Sequence, residues 1–127
     1  MTDFGFAKQC YDESRQSVIL SGTFCGTLPY ECPQILEHKK YDAFKADTWS
    51  MGVSLFIMLY DHFPFHWKER KKMLAEIHDY PKFLRSRYVK KRPSDANRLL
   101  EQLLNPSEAE RASVQDILDS PYLRRRN

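Results

Sequence analysis

The chain has 127 residues, 42% of them apolar and 29% charged, a size and balance that suit one hydrophobic core and exclude a wholly disordered protein. The net charge of +3 arises from 20 basic against 17 acidic residues, and its basic runs, Lys90-Lys91-Arg92 and Arg124-Arg125-Arg126, lack the interleaved aromatics of a nucleic-acid surface. Three cysteines, Cys10, Cys25 and Cys32, form no Cys-x-x-Cys pair and no even disulfide framework, and no signal peptide opens the chain, which points to a reducing, intracellular setting.

Residues 6–34 are rich in Ser, Gly, Thr and Pro around the short apolar run Val18-Ile19-Leu20, with no helical period. This predicts a long loop, and a loop of that length in a compact domain implies a functional or regulatory role. From Phe44 to Tyr60 apolar residues cover every side of a helix, which predicts a buried central helix. Asp47, Ser50 and Ser54 interrupt it and it is too short to span a bilayer, so no membrane role follows.

Pro64 ends that helix, and Met73, Leu74 and Ile77 then recur at helical spacing within 68–78, predicting an amphipathic surface helix. The charges of Lys68 to Lys72 read either as a solvated face or as a partner-docking one. Ser94-Asp95 supplies a cap and an acidic first turn before Leu99, Leu100, Leu103 and Leu104, and Asn105-Pro106 stops that helix. A last helix starts at Ser113, whose side chain caps the backbone near Asp116, and runs to Pro121; the tail beyond Leu123 is expected to fray. His38, His62, His66 and His78 share no metal or nucleophile-base spacing and read as surface residues.

Three motifs follow in order: Asp3-Phe4-Gly5, then Gly26-Thr27-Leu28-Pro29-Tyr30-Glu31-Cys32-Pro33-Gln34, then Asp47-Thr48-Trp49-Ser50-Met51-Gly52 at the head of the buried helix. This ordering resembles the eukaryotic protein kinases, from their metal-binding motif to the end of the carboxyl lobe, and covers essentially the whole chain. Asp3-Phe4-Gly5-Phe6-Ala7-Lys8 with Thr23-Phe24-Cys25-Gly26 is similar to the calcium/calmodulin-type group, and the loop length is similar to the testis-specific serine/threonine kinases. The implied fold is mainly α: a protein-kinase-like carboxyl lobe of activation segment plus helix bundle, truncated before the metal-binding motif. The implied organisation is a partial kinase domain over 1–123, with metal-binding motif and activation segment in 1–34, a helical subdomain in 35–123, and a basic tail in 124–127.

The resemblance implies a serine/threonine protein kinase whose complete form transfers the γ-phosphate of ATP to protein substrates. It implies Asp3 as a magnesium ligand, with Phe4 and Gly5 beside the nucleotide, although a plain turn before Gly5 would also use an Asp. It makes Thr23 the activation-loop phosphosite, with Ser21 a second candidate, phosphorylated by an upstream kinase or by autophosphorylation, and Lys8 a cation for that phosphate. Thr27 lines the substrate-acceptor site, and Tyr30 and Pro33 either shape the peptide-binding segment or are packed turn residues. Asp47 either anchors the catalytic loop or simply caps its helix, while Trp49 and Gly52 are packing positions. Cytoplasmic localisation follows, with nuclear entry an alternative for the triple Arg.

Where the family carries Ala-Pro-Glu, this chain has Cys32-Pro33-Gln34, so the carboxylate expected to pair with Arg111 is a neutral amide. Losing one partner of a buried ion pair costs about 3–5 kcal/mol, of which a hydrogen bond from Arg111 recovers part. No glycine-rich loop, small-lobe Lys-Glu pair or His-Arg-Asp catalytic loop occurs in the 127 residues. The chain alone is therefore expected to be inactive and to bind magnesium and ATP weakly, and Met1 fits an internal hydrophobic position before Thr2-Asp3. The competing readings are a non-catalytic binding module or pseudokinase remnant, and an unrelated basic helical module.

Overall fold

The computed structural model describes residues 7–23, 27–80, 82 and 94–124. Within 7–23 the chain is not the unstructured loop expected from its composition. Strand β1 (Tyr11–Asp12) pairs antiparallel with β2 (Ser17–Val18), and β3 (Leu20–Ser21) pairs antiparallel with β4 (Tyr41–Asp42). The Asp12 carboxylate accepts from the backbone N–H of Ser14 and Arg15, closing the first hairpin, and Gln16 takes the left-handed conformation at φ 47°. Strands of two residues leave almost no alternation to read, so local turn chemistry rather than a periodic pattern forms these ladders.

After β3 the chain makes a short 3₁₀ turn, Leu28–Tyr30, and a single helical turn, α1 (Pro33–Leu36), with Pro33 at the first helical position where its missing N–H costs nothing. Helix α2 (Ala43–Tyr60) follows β4 directly. Its cap is Asp42, whose carboxylate accepts from the Phe44 N–H at 2.8 Å, so Asp47 lies in the second turn instead of at the helix start. The helix ends on Asp61 in the left-handed conformation, with its N–H donating to the Ile57 carbonyl at 2.7 Å.

Helix α2 carries the main core. Ala43, Ala46, Trp49, Val53 and Phe56 are buried on it and meet Ile35, Leu36 and Phe65, along with Met73, Ile77 and Tyr80 from α3 (Arg70–His78) and the segment after it, and Leu100 and Leu104 around α4 (Ser94–Leu103). The Trp49 and Phe65 rings stack at 5.8 Å. Burial is not complete on all sides, however. Phe44, Asp47, Met51, Ser54 and Met58, spaced as one helical stripe, are exposed, with Met51 at 49% and Met58 at 75%. Helix α4 begins at Ser94 itself, with Asp95 in its first turn. Helix α5 (Val114–Leu118) has the expected box: the Asp116 N–H donates to Ser113 Oγ at 3.2 Å, and the Ser113 N–H donates to the Asp116 carboxylate at 2.7 Å. Helix α6 (Pro121–Arg124) closes the described chain.

Gly52 sets how closely α2 and α4 approach. A Cβ at this position would lie 2.8 Å from Leu103 Cβ and 2.9 Å from Leu104 Cδ2, so only glycine fits without moving α4. Among the described residues, no helix is long and apolar enough to cross a membrane.

Candidate functional site

The side chain of Arg111 lies 1% exposed at the centre of the site. Its Nη2 donates to Gln34 Oε1 at 2.8 Å, Nη1 to the Lys45 carbonyl at 3.1 Å and Nε to the Asn105 carbonyl at 3.0 Å. The guanidinium also lies 5.0 Å from the centre of the Trp49 ring, a cation–π arrangement. Burial pulls the pKa of this guanidinium below its ordinary value, and the fields of Glu108 and Asp42 offset part of that loss. Every hydrogen-bond acceptor named here is neutral, so hydrogen bonds in place of an ion pair keep this cation buried.

Gln34 serves both sides of this junction. Besides accepting from Arg111, its Nε2 donates to the Pro106 carbonyl at 2.8 Å. Helix α1 is thereby tied to the 105–111 segment, and Lys45 Nζ adds a second tie to it by donating to the Arg111 carbonyl. Asp42 joins the same region, since its backbone N–H donates to Glu108 at 3.0 Å. Cys32 sits fully buried beside this cluster as a free thiol, and desolvation raises its pKa above the ordinary value.

A second cluster surrounds Thr23. Ser21 is 8% exposed; its hydroxyl accepts from Lys8 Nζ and, at 3.2 Å, from the Thr23 N–H. Tyr41 Oη donates to the Thr23 carbonyl at 2.7 Å and accepts from Lys8 Nζ at 3.3 Å. Lys8, Ser21, Tyr41 and the backbone of Thr23 thus form one network, with Thr23 itself exposed to solvent. Sequence reasoning missed Tyr41; its place in the ladder opposite Ser21 gave no periodic signal in two-residue strands.

Thr27, also exposed, precedes the 3₁₀ turn, and its carbonyl accepts from the Tyr30 N–H at 2.9 Å. Tyr30 is fixed to α2, since Ser50 Oγ donates to its carbonyl at 3.1 Å, and its ring meets Phe63 edge-on at 5.7 Å. Asp47 is exposed on α2 with no hydrogen-bond donor among the described residues; partial desolvation raises its carboxyl pKa, and only the field of Lys8 opposes this. Trp49 is buried completely, with an indole N–H that meets no acceptor among the described residues.

Asp3, Phe4 and Gly5, with Cys25, Gly26 and the 124–127 tail beyond Arg124, lie outside the described residues. The magnesium and nucleotide assignments rest on the first three. Among the described residues, no three His, Cys, Asp or Glu side chains gather as a metal site. The four histidines are all exposed.

Comparison with known sequences places this geometry. Residues 1–123 match the protein kinase domain, and the chain belongs to that family. It is 36% identical over 123 residues to human testis-specific serine/threonine-protein kinase 3, covering 97% of this chain and 44% of that protein. It is 36% identical over 129 residues to CBL-interacting protein kinase 2 of Oryza sativa subsp. japonica, covering 98% of this chain and 27% of the relative. Mouse testis-specific serine/threonine-protein kinase 2 is 32% identical over 124 residues, 97% of this chain and 34% of its own length. The chain therefore spans less than half of each of these relatives.

Proposed function

We propose that this chain is the part of a serine/threonine protein kinase running from the metal-binding motif to the end of the carboxyl lobe, and that the complete enzyme transfers the ATP γ-phosphate to protein substrates. The observation that carries this reading is the tie from Gln34 to Arg111 and Pro106, which fixes the 27–36 segment against the helical core in a chain whose whole motif order matches the kinase family. In this reading residues 1–34 form the metal-binding motif and activation segment, 35–123 the helical subdomain and 124–127 a basic tail, and the nearest kinase group is the calcium/calmodulin type.

Within that frame the residues divide by role. Asp3 would hold magnesium, and with Phe4 and Gly5 border the nucleotide; magnesium bound there would neutralise charge on the phosphates. Thr23, exposed beside the Lys8 ammonium, is the regulatory phosphate acceptor, filled by an upstream kinase or by the enzyme itself, because Ser21 is buried with its hydroxyl engaged. A phosphate on Thr23 would meet Lys8 as a charge-assisted partner. Thr27 contributes its hydroxyl at the substrate-acceptor site and favours serine and threonine. Asp47, a carboxylate held at some desolvation cost without a donor, is free to receive backbone N–H groups of the catalytic loop. The protein acts in the cytoplasm.

The test uses the full-length product of the message that encodes this chain, incubated with ATP, magnesium and a mixed protein substrate, followed by phosphoamino-acid analysis. Phosphoserine and phosphothreonine are expected, with loss on Asp3→Ala, and no transfer above background by residues 1–127 alone. Transfer to tyrosine only, or activity unaffected by Asp3→Ala, would overturn the reading.

A further inference from the structure

Two basic segments far apart in sequence share one surface. Arg70, in the first turn of α3, donates to His38 Nε2 at 2.7 Å and to the Leu36 carbonyl at 3.4 Å, and His78, at the other end of that helix, lies 3.1 Å from Glu37 Oε1. These contacts lay the stretch that follows α1 along α3. Lys71 and His78 fall on one side of the helix, since positions seven apart nearly superpose around its axis, so Lys71 stands on the side that meets this stretch.

The charge at this junction is one-sided. Residues 37–40 and 68–72 hold six cations, Lys39, Lys40, Lys68, Arg70, Lys71 and Lys72, against the two carboxylates Glu37 and Glu69, an excess of four in a chain whose total is +3. Glu37 is already taken by Lys39 at 2.8 Å and by His78. Lys40, Lys71 and Lys72 are exposed and meet no acceptor among the described residues, and Arg70 donates to a carbonyl and an imidazole instead of a carboxylate. Nor do these charges serve the helix beneath them. The first turn of α3 holds no acid and Glu69 makes no cap bond, and cations at a helix start oppose its dipole. An excess that the fold neither pairs nor uses is matched by negative charge brought from outside.

The surroundings decide what carries that charge. Met73 and Ile77, the apolar side of α3, are fully buried, so the helix has no apolar face to lay into a lipid surface. Trp67, the exposed aromatic at its head, has the Lys68 ammonium 5.9 Å from its ring centre and Phe63 edge-on at 5.9 Å. That ring is engaged by its neighbours rather than open for a nucleic-acid base to stack on. We propose that the surface formed by 38–40 and the head of α3 docks an acidic segment of a protein partner. Charge and exposure carry this inference, so it stands or falls separately from the kinase reading.

The test titrates the full-length protein into a fluorescent peptide of alternating glutamate and glycine and follows anisotropy. Saturable binding is expected, weakening between about 0.1 M and about 1 M salt as the screening length falls from about 10 Å to about 3 Å. Lys71→Ala is expected to weaken binding about fivefold, the loss of an ion pair of about 1 kcal/mol, and Arg70→Glu with Lys71→Glu by roughly tenfold or more. Lys90→Glu with Lys91→Glu, which reverses the same charge elsewhere, should leave it unchanged; circular dichroism checks that each variant is folded. Equal losses from the two double reversals would reduce binding to net charge and overturn the proposal. So would the absence of binding, or displacement of the peptide by anionic lipid vesicles or single-stranded DNA at lower concentration than by unlabelled peptide.

Discussion

Arg111 donates to Gln34 across 2.8 Å, joining residues 77 positions apart through a neutral amide. A carboxylate in place of that amide would give the guanidinium a charged acceptor, and charge-assisted bonds are stronger than neutral ones by about 1 kcal/mol. The exchange also removes the amide donor to Pro106, whose carbonyl retains a longer contact from Arg111 at 3.4 Å. Gln34→Glu is therefore expected to raise the melting temperature by about 4 °C. Gln34→Ala should lower stability by about 1–3 kcal/mol, since it removes one acceptor of the buried Arg111 and the donor to Pro106. Thermal unfolding followed by circular dichroism checks both, and a fall for the glutamate variant would mean that the Pro106 bond outweighs the new charge pair.

Gly52→Ala tests the contact between α2 and α4. Alanine favours helix over glycine by about 1 kcal/mol, but its methyl group would stand 2.8 Å from Leu103 Cβ. Overpacking of this kind costs about 1–3 kcal/mol, and the clash is with a Cβ that cannot rotate away. A net loss is expected in urea unfolding; a gain would show that α4 shifts freely.

Acid should act on Glu37 and Asp47 in opposite senses. The Lys39 ammonium, followed by His78, holds the Glu37 carboxyl below its ordinary value of 4.5. Its stabilisation is complete above that value and disappears as pH falls through the lower, folded one. Asp47 is raised above 3.8 by desolvation, so its ionised form destabilises the fold at neutral pH and protonation relieves this as pH falls through its folded value. Asp47→Asn should therefore raise the urea midpoint at pH 7 and leave it unchanged at pH 3. Glu37→Gln should lower it at pH 7 and do nothing at pH 3. An equal effect of either substitution at both values would contradict the titration account.

Tyr41→Phe should loosen the segment around Thr23. It deletes the donor to the Thr23 carbonyl and the acceptor for Lys8 while leaving the ring in the core. With a net value of about 1 kcal/mol for such a bond, local opening should increase about fivefold. Limited proteolysis between Gln9 and Thr23 should speed up by the same factor with no change in global unfolding, and an unchanged rate would show that β3 and β4 hold the segment alone.

Helices were the legible part of this sequence, because period and punctuation agree there. Met73 and Ile77 mark the buried side of α3, and Ser113 with Asp116 marks a helix start whose box is present in the structure. Two features defeated pattern reading. Helix α2 is apolar on every side in sequence, yet its exposed stripe from Phe44 to Met58 depends on which neighbours are there to cover it, which composition does not encode. The β1–β2 hairpin, the β3–β4 ladder and the start of α1 at Pro33 rest on elements or bonds of one or two residues, too short to generate periodicity. In the candidate site, motif order placed Gln34 opposite Arg111, but Tyr41 emerged only from the side-chain hydrogen bonds of the folded chain.

The late position of the 105–111 segment has a consequence for synthesis. Gln34, Asp42 and Lys45 all complete their long-range bonds on Pro106, Glu108 and Arg111. At about 5–20 residues per second, roughly 4–15 s pass between translation of Gln34 and of Arg111. Throughout that interval the nascent chain holds the head of α2 without its clasp, and the region closes only once the 105–111 segment has been made.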